Sequence, residues 1–320
     1  MVSFYQIKGS VISENKAEYL PVNNEFVGGG GIHLEWDCDS VTVANNFCGY
    51  SVLLTDTDTA NNLIIRDNFF STAAVFASRS LIQGNVFVNQ FPVTVGRDCI
   101  FDSNFSMQGS SSQTLSTFEE GCSITNNISV GSAVGFIGIQ TDTLVSGNRL
   151  FHAVDLDLPS AGDGADSVER LVITNNDLVS IGMRPLDQDV YVSDSVISNN
   201  VVQTEIALSD TLHVATFQHS AITGNRCSGI AMANSDMEHG VISSNACLEL
   251  KGAGNGNIEV GMLRRSVIAD NTLRYFSPDV NLGVMVLGRW DGTSVRQPCE
   301  QVAVVLSLIH ISEPTRLTSI

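Results

Sequence analysis

An all-β solenoid, a chain wound into stacked coils of short parallel strands, is the fold these 320 residues predict. Three observations carry it. An asparagine returns twelve times, at Asn15, Asn46, Asn68, Asn85, Asn104, Asn127, Asn148, Asn176, Asn200, Asn225, Asn245 and Asn271. Three positions before each stands an apolar residue: Ile12, Val43, Ile65, Ile82, Phe101, Ile124, Val145, Ile173, Ile197, Ile222, Ile242 and Ile268. The residue just before the asparagine is a turn former in every copy but one, where Glu14 stands.

The strand comes first. A β-branched segment runs into a bend at the Asn, Asp, Ser or Gly, residue types of which Asn, Asp and Gly tolerate a left-handed backbone, and leaves it as a second strand. Two residues past the asparagine the chain is apolar again (Ala17, Cys48, Phe70, Phe87, Leu150, Leu178, Val202, Cys227, Cys247, Leu273), with Ser106 and Ser129 as exceptions. The asparagine follows from the stacking. Coils about 4.8 Å apart place like residues above one another, and an amide with two donors and an acceptor bonds rung to rung along a corner. Intervals of 17 to 31 residues between copies set the coil length. Leucine-rich and helical repeats are excluded, because neither fixed leucines nor apolar spacings of three and four recur.

The motifs VTVANNFC (41–48), CSITNNIS (122–129), LVITNNDL (171–178), SVISNNVV (195–202) and SAITGNRC (220–227) resemble those of the right-handed parallel β-helix, or pectin-lyase-like, superfamily. The resemblance covers about residues 10 to 275 and implies a single-stranded right-handed parallel β-helix of about twelve coils. That superfamily hosts lyases, hydrolases, epimerases, phage tailspikes and adhesins, so the resemblance implies contact with polysaccharide and an extracellular or cell-surface location. It carries over no catalytic residue. MRPLDQD around Arg184 lacks the second arginine of RxPxxR, and no GHG signature with paired aspartates is present.

Composition narrows the partners. Thirty-four acidic residues face 16 basic ones, for a net charge of −18, which excludes the basic face that nucleic acid or an anionic membrane requires. No apolar run approaches the roughly 18 residues of a membrane span. Seven cysteines, an odd number without a CxxC pair, read as core residues, with Cys227 and Cys247 as stacked free thiols. The start, MVSFYQIKGSV, has no secretion-signal pattern, so the chain is expected to begin inside a larger protein.

Residues 1–305 are expected to form the solenoid domain, truncated at its C-terminus. Beyond SVIADNTL (266–273), aligning Val302 on Val267 puts the next ladder position at Leu306, where the repeat stops. The segment LSLIHISEPTR, residues 306–316, resembles a translated sequencing adapter, so 306–320 is expected to be a non-native tail and His310 and Glu313 are set aside.

Two sets of residues carry candidate chemistry. Long intervals after Asn148 imply projecting acidic loops, and Asp155, Asp157, Asp163 and Asp187 are the candidate Ca2+ ligands, in spacing unlike an EF-hand. Thirteen residues past three successive ladder asparagines stand Asp189, His213 and Glu238, a candidate catalytic set. In register, Asp189 and Glu238 would lie two rungs or about 9.6 Å apart, at the upper edge of an inverting glycosidase pair. Counted back from the following asparagine the alignment breaks, at 11, 12 and 7 residues. His33, His152, His219 and His239 show no HxH or HExxH zinc spacing. The function expected is a carbohydrate-associated module that binds polysaccharide and, if an enzyme, is a polysaccharide lyase or glycoside hydrolase. The alternative is a noncatalytic scaffold of a surface, adhesin or tailspike-like protein, with a homotrimer as the assembly to test.

Overall fold

The computed structural model describes residues 2–17, 32–35, 37–55, 60–87, 93–106, 114–118, 120–129, 134–139, 141–150, 154–156, 167–183, 189–208, 214–248, 258–275, 285–287, 299–305 and 308–311. All their regular structure is strand, and the strands pair in parallel. The chain forms two compact units, Met1–Asp157 and Leu158–Ile320. In the first, seven three-residue strands stack in order: Val11–Ser13, Thr42–Ala44, Ile64–Arg66, Leu81–Gln83, Ile100–Asp102, Ser123–Thr125 and Leu144–Ser146. In the second, six stack from Val172–Thr174 to Ala303–Val305. Each unit is thus a parallel solenoid of about six turns, where the sequence alone counts about twelve in a single run.

The strands that precede the twelve ladder asparagines are so short because a left-handed residue closes each of them. All twelve residues before a ladder asparagine have positive φ, from 54° at Ser103, Asn199 and Asp270 to 68° at Gly147, with Glu14 among them at 59°. Five residues earlier lies a second left-handed position that the sequence reading misses: Gly9, Ser40, Asn62, Arg79, Asp98, Gly121 and Asp142 in the first unit, and Arg170, Asp194, His219, His239, Arg265 and Gln301 in the second. A left-handed backbone costs an ordinary side chain about 1–2 kcal/mol. The bend leaves no amide orphaned, because the N–H of such a residue still bonds a carbonyl one turn on, as Arg79 to Arg97 at 2.7 Å and Asn45 to Arg66 at 3.2 Å do.

Between the two bends the middle residue of each strand points inward. Val43, Ile65, Ile82, Ile124 and Val145 in the first unit and Ile173, Ile242 and Ile268 in the second are fully buried, in register with one another. Past the corner the second inward column holds Cys48, Phe70, Phe87 and Leu150 in the first unit and Leu178, Val202, Cys227, Cys247 and Leu273 in the second. Ser106 and Ser129 occupy that column too, paired with each other and buried with hydroxyls that have no partner.

The amides close the corner between them. In the first unit Asn15, Asn46, Asn68, Asn85, Asn104, Asn127 and Asn148 form one file, each Nδ2 donating to the next Oδ1 at 2.9–3.1 Å. The same Oδ1 accepts the backbone N–H of the asparagine one turn before, as Asn85 to Asn104 at 3.1 Å. From Asn46 on, each Nδ2 also reaches the carbonyl of the core residue of the preceding turn, as Asn104 to Ile82 at 2.9 Å. In the second unit Asn176, Asn200, Asn225, Asn245 and Asn271 repeat the file at 2.9–3.0 Å. Asn104 and Asn127 are 3% exposed, so the sequons they head are closed to a glycosylating enzyme.

The turn after Asn271 corrects one alignment. Val267 pairs with Ala303, not Val302, so the next ladder position is Ser307, which with Leu306 lies outside the described residues. Leu308–Ile311, within the adapter-like segment, pairs in parallel with Thr272–Tyr275.

Asn200 accepts two bonds from Asn176 and donates to Asn225 and to the Ile173 carbonyl, all buried. Asn200→Leu is therefore expected to cost about 1–3 kcal/mol, because it leaves those groups without partners. A denaturant titration measures it, and an unchanged midpoint would count against a ladder that stabilises.

Candidate functional site

The residue directly after each ladder asparagine points outward, and in the first unit these residues line up by strand register. The column runs Lys16, Phe47, Phe69, Val86, Phe105, Ile128 and Arg149, five apolar side chains in succession between two bases. Phe47 and Phe69 stack with ring centroids 4.8 Å apart and planes 12° from parallel. Phe47 is 42% exposed and Ile128 41%.

A shallow open hollow of about 450 Å³ lies on this column, lined by Phe47, Phe69 and Val86, with Asn45, Asp67 and Gly84 from the corner beside them. The ladder amides of Asn46 and Asn68 complete the lining. Gly84 takes the left-handed φ of +66° without strain, and a Cβ there would stand 2.8 Å from Asp67 Oδ1 and push that side chain aside. The hollow therefore offers the apolar surface of two stacked phenyl rings, bordered by the amides of Asn45, Asn46 and Asn68 and the carboxylate of Asp67, the mixture that orients a ligand with an apolar face and polar edges. The sequence reading passed over this column, although its signal, five consecutive apolar residues one place after the asparagine, is in the same alignment.

The residues expected to be catalytic do not share a column. Asp189 is exposed, and its Oδ1 accepts the Val214 N–H at 2.8 Å. Glu238 is half-buried and stands in line with Gln218, whose own counterpart in the Asp189 turn is Ser193. Asp189 and Glu238 are thus four residues along the strand as well as two turns apart, a backbone separation of about 16 Å, and not the in-register stack that the count of thirteen expects. The count of thirteen fails because the loops it crosses differ in length. His213 lies outside the described residues. So do Asp157, Asp163 and Asp187 of the proposed Ca2+ set, while Asp155 sits in the strand Val154–Leu156.

Other titratable side chains do meet. At the first corner of the second unit Asp194, His219, His239 and Arg265 stand in successive turns. The two imidazole centroids are 5.3 Å apart, and His219 Nδ1 lies 3.9 Å from Asp194 Oδ1. Gln218 Nε2 donates to Glu238 Oε2 at 3.4 Å in the adjacent column. Among the described residues no group of three or more His, Cys, Asp and Glu is placed to hold a metal ion.

Two further groups are structural. Cys227 and Cys247 pair in register with their sulfurs 3.8 Å apart and remain free thiols, as expected from the sequence. The contact with Cys227 and burial push the Cys247 thiol far above its ordinary value, which keeps it protonated and inert. Among the described residues Asp102 is the carboxylate whose pKa is clearly shifted. Burial acts to raise its pKa, but hydrogen bonds from Thr125 (2.6 Å), Gln83 (2.9 Å), Asn126 (3.0 Å) and Ser103 (3.0 Å) outweigh it and hold the carboxyl at about 2. Those donors come from three neighbouring turns, so the charge stitches the solenoid and is no catalytic acid.

Compared with family models, with curated proteins and with solved structures, the chain matches none. No helix among the described residues is long and apolar enough to cross a membrane.

Because the folded pKa of Asp102 lies below its unfolded value, its contribution is complete above about pH 4 and disappears as pH falls toward 2. Asp102→Ala is expected to destabilise most at neutral pH, with the gap to the native protein closing across that acidic window. Urea titrations at a series of pH values measure it, and a gap independent of pH would refute the assignment.

Proposed function

We propose that this chain is a carbohydrate-binding β-solenoid of the pectin-lyase-like kind, at a cell surface or outside the cell, which holds a neutral polysaccharide along the Phe47–Phe69–Val86 column. The observation that carries this reading is the pair of stacked, outward phenyl rings beside Asn45 and Asp67. A pyranose ring has an apolar C–H face that packs on an aromatic ring, and equatorial hydroxyls that bond amide and carboxylate groups at its edge. The column repeats once per coil, about 4.8 Å, a rise comparable to one sugar unit, so successive rings of a polymer meet successive turns. A net charge of −18 opposes polyuronates and favours uncharged chains.

Binding without cleavage is the better supported activity. One carboxylate, Asp67, lines the hollow, whereas glycoside hydrolysis uses two. A second reading, the noncatalytic scaffold of a larger assembly, is favoured by a different face. Val11, Ile64 and Ile100 lie outward in one column of the first unit at 69%, 38% and 47% exposure, a surface that another copy in a homotrimer would cover.

A glycan array followed by affinity electrophoresis in neutral and uronic-acid polymers, with and without calcium, tests the first reading. Binding to a neutral polymer is expected, and Phe47→Ala should weaken it by about tenfold, the equivalent of roughly 1.4 kcal/mol for one aromatic contact, with the melting temperature unchanged. No binding to any polymer, or binding indifferent to Phe47→Ala, would overturn it. A trimer by light scattering, together with no glycan binding, would select the scaffold.

A further inference from the structure

We infer that His219 and His239 form an open chelate for a late first-row divalent transition metal, of which copper(II) is the strongest-binding probe. The two residues are twenty apart in sequence, one coil of the solenoid, and register brings them to the same corner in successive turns. Their imidazole centroids are 5.3 Å apart. With metal–nitrogen bonds of about 2.0–2.1 Å, two imidazoles at a tetrahedral angle on one ion place their centroids about 5 Å apart. Both side chains are exposed, so rotation about their side-chain bonds can aim one nitrogen of each ring at a shared point.

The backbone beneath the pair is fixed. Both residues are left-handed, at φ 48° and 53°, and their N–H groups bond the carbonyls of Glu238 and Arg264 at 3.0 and 2.9 Å. A chelate on a rigid corner loses little freedom when it binds. Asp194, one turn before, sets its Oδ1 3.9 Å from His219 Nδ1. A small approach from there lets Asp194 Oδ1 accept a hydrogen bond from Nδ1–H, which keeps the proton on Nδ1 and leaves Nε2 for the metal, as carboxylates behind metal-bound histidines do.

The surrounding charges do not oppose a cation. Asp194 and Glu238 are the acids beside the pair, and Arg265, the next residue of the column, turns its Nε away to Gln301 Oε1 at 3.2 Å. Arg264 follows Glu238 in the adjacent column, and the acidic Glu300 stands next to it on the following turn by backbone pairing. Two protein nitrogens leave the remaining coordination positions to water, and imidazole selects zinc, nickel and copper over calcium or magnesium, with copper tightest. Sequence spacing rules such as HxH overlook the pair because its neighbours are made by the coil period.

Isothermal titration of the full chain with copper(II), in a weakly coordinating buffer near pH 7.5, tests the site. His219→Asn and His239→Asn are the variants of choice, since asparagine accepts the left-handed backbone. Each should weaken copper binding by more than the roughly tenfold that loss of an outer-shell partner costs. In the unaltered protein, substoichiometric copper(II) should broaden the ring signals of two of the six histidines together. Broadening of a single histidine or of a different pair, or a variant that binds as tightly as the native chain, would overturn the proposal.

Discussion

One coupling holds each unit together: a left-handed residue followed at once by an asparagine whose amide bonds the turns on either side. The bend ends the strand after three residues and presents the amide along the coil axis. There Nδ2 reaches both the next Oδ1 and the preceding turn's core carbonyl, while the next Oδ1 also takes the backbone N–H. A corner so sharp would otherwise bury unpaired backbone groups. The amide file satisfies them and, because it joins like residues only, fixes the register of everything else.

The other corner uses a lighter version of the same device. The residue after its left-handed position is often Ser, Cys or Thr, and its side chain accepts the N–H of its counterpart one turn before, as Leu63 to Ser80 at 2.9 Å and Leu171 to Ser195 at 3.1 Å show. The hydroxyl donates to the carbonyl two residues back, as Ser195 to Ser193 at 2.9 Å does. A hydroxyl has one donor where an amide has two, which accounts for the tolerance of Val41, Leu63 and Leu171 at this corner. Fixed register then turns single residues into stripes. Phe47 over Phe69 and His219 over His239 are surface features that exist only because one coil lies directly on another.

The fold was legible because its signals are local. Asn126 and Asn127, with Ile124 before them, announce a bend, a ladder rung and a core residue within four positions, and all three behave so. The second corner was not legible, since Arg79, His219 and Arg265 are not turn formers by type; paired backbone amides hold them left-handed. The candidate site was less legible still. Glu238 was matched to Asp189 by counting through loops of unequal length, whereas the sheet aligns it with Gln218. Positions near the corner keep register and positions past the loops lose it, so a stripe one place after the asparagine is readable and a triad thirteen places on is not.

A double-mutant cycle on Asn200→Ala and Asn225→Ala tests most directly whether the amides act as a connected file. They are 25 residues apart in sequence and joined by two bonds of 3.0 Å to one oxygen. Urea unfolding of the two single variants and the double variant should give a coupling energy of about 0.5–3 kcal/mol. Losses that add to within about 0.3–0.5 kcal/mol would mean that the two side chains do not bond each other, and the register built on them would fail.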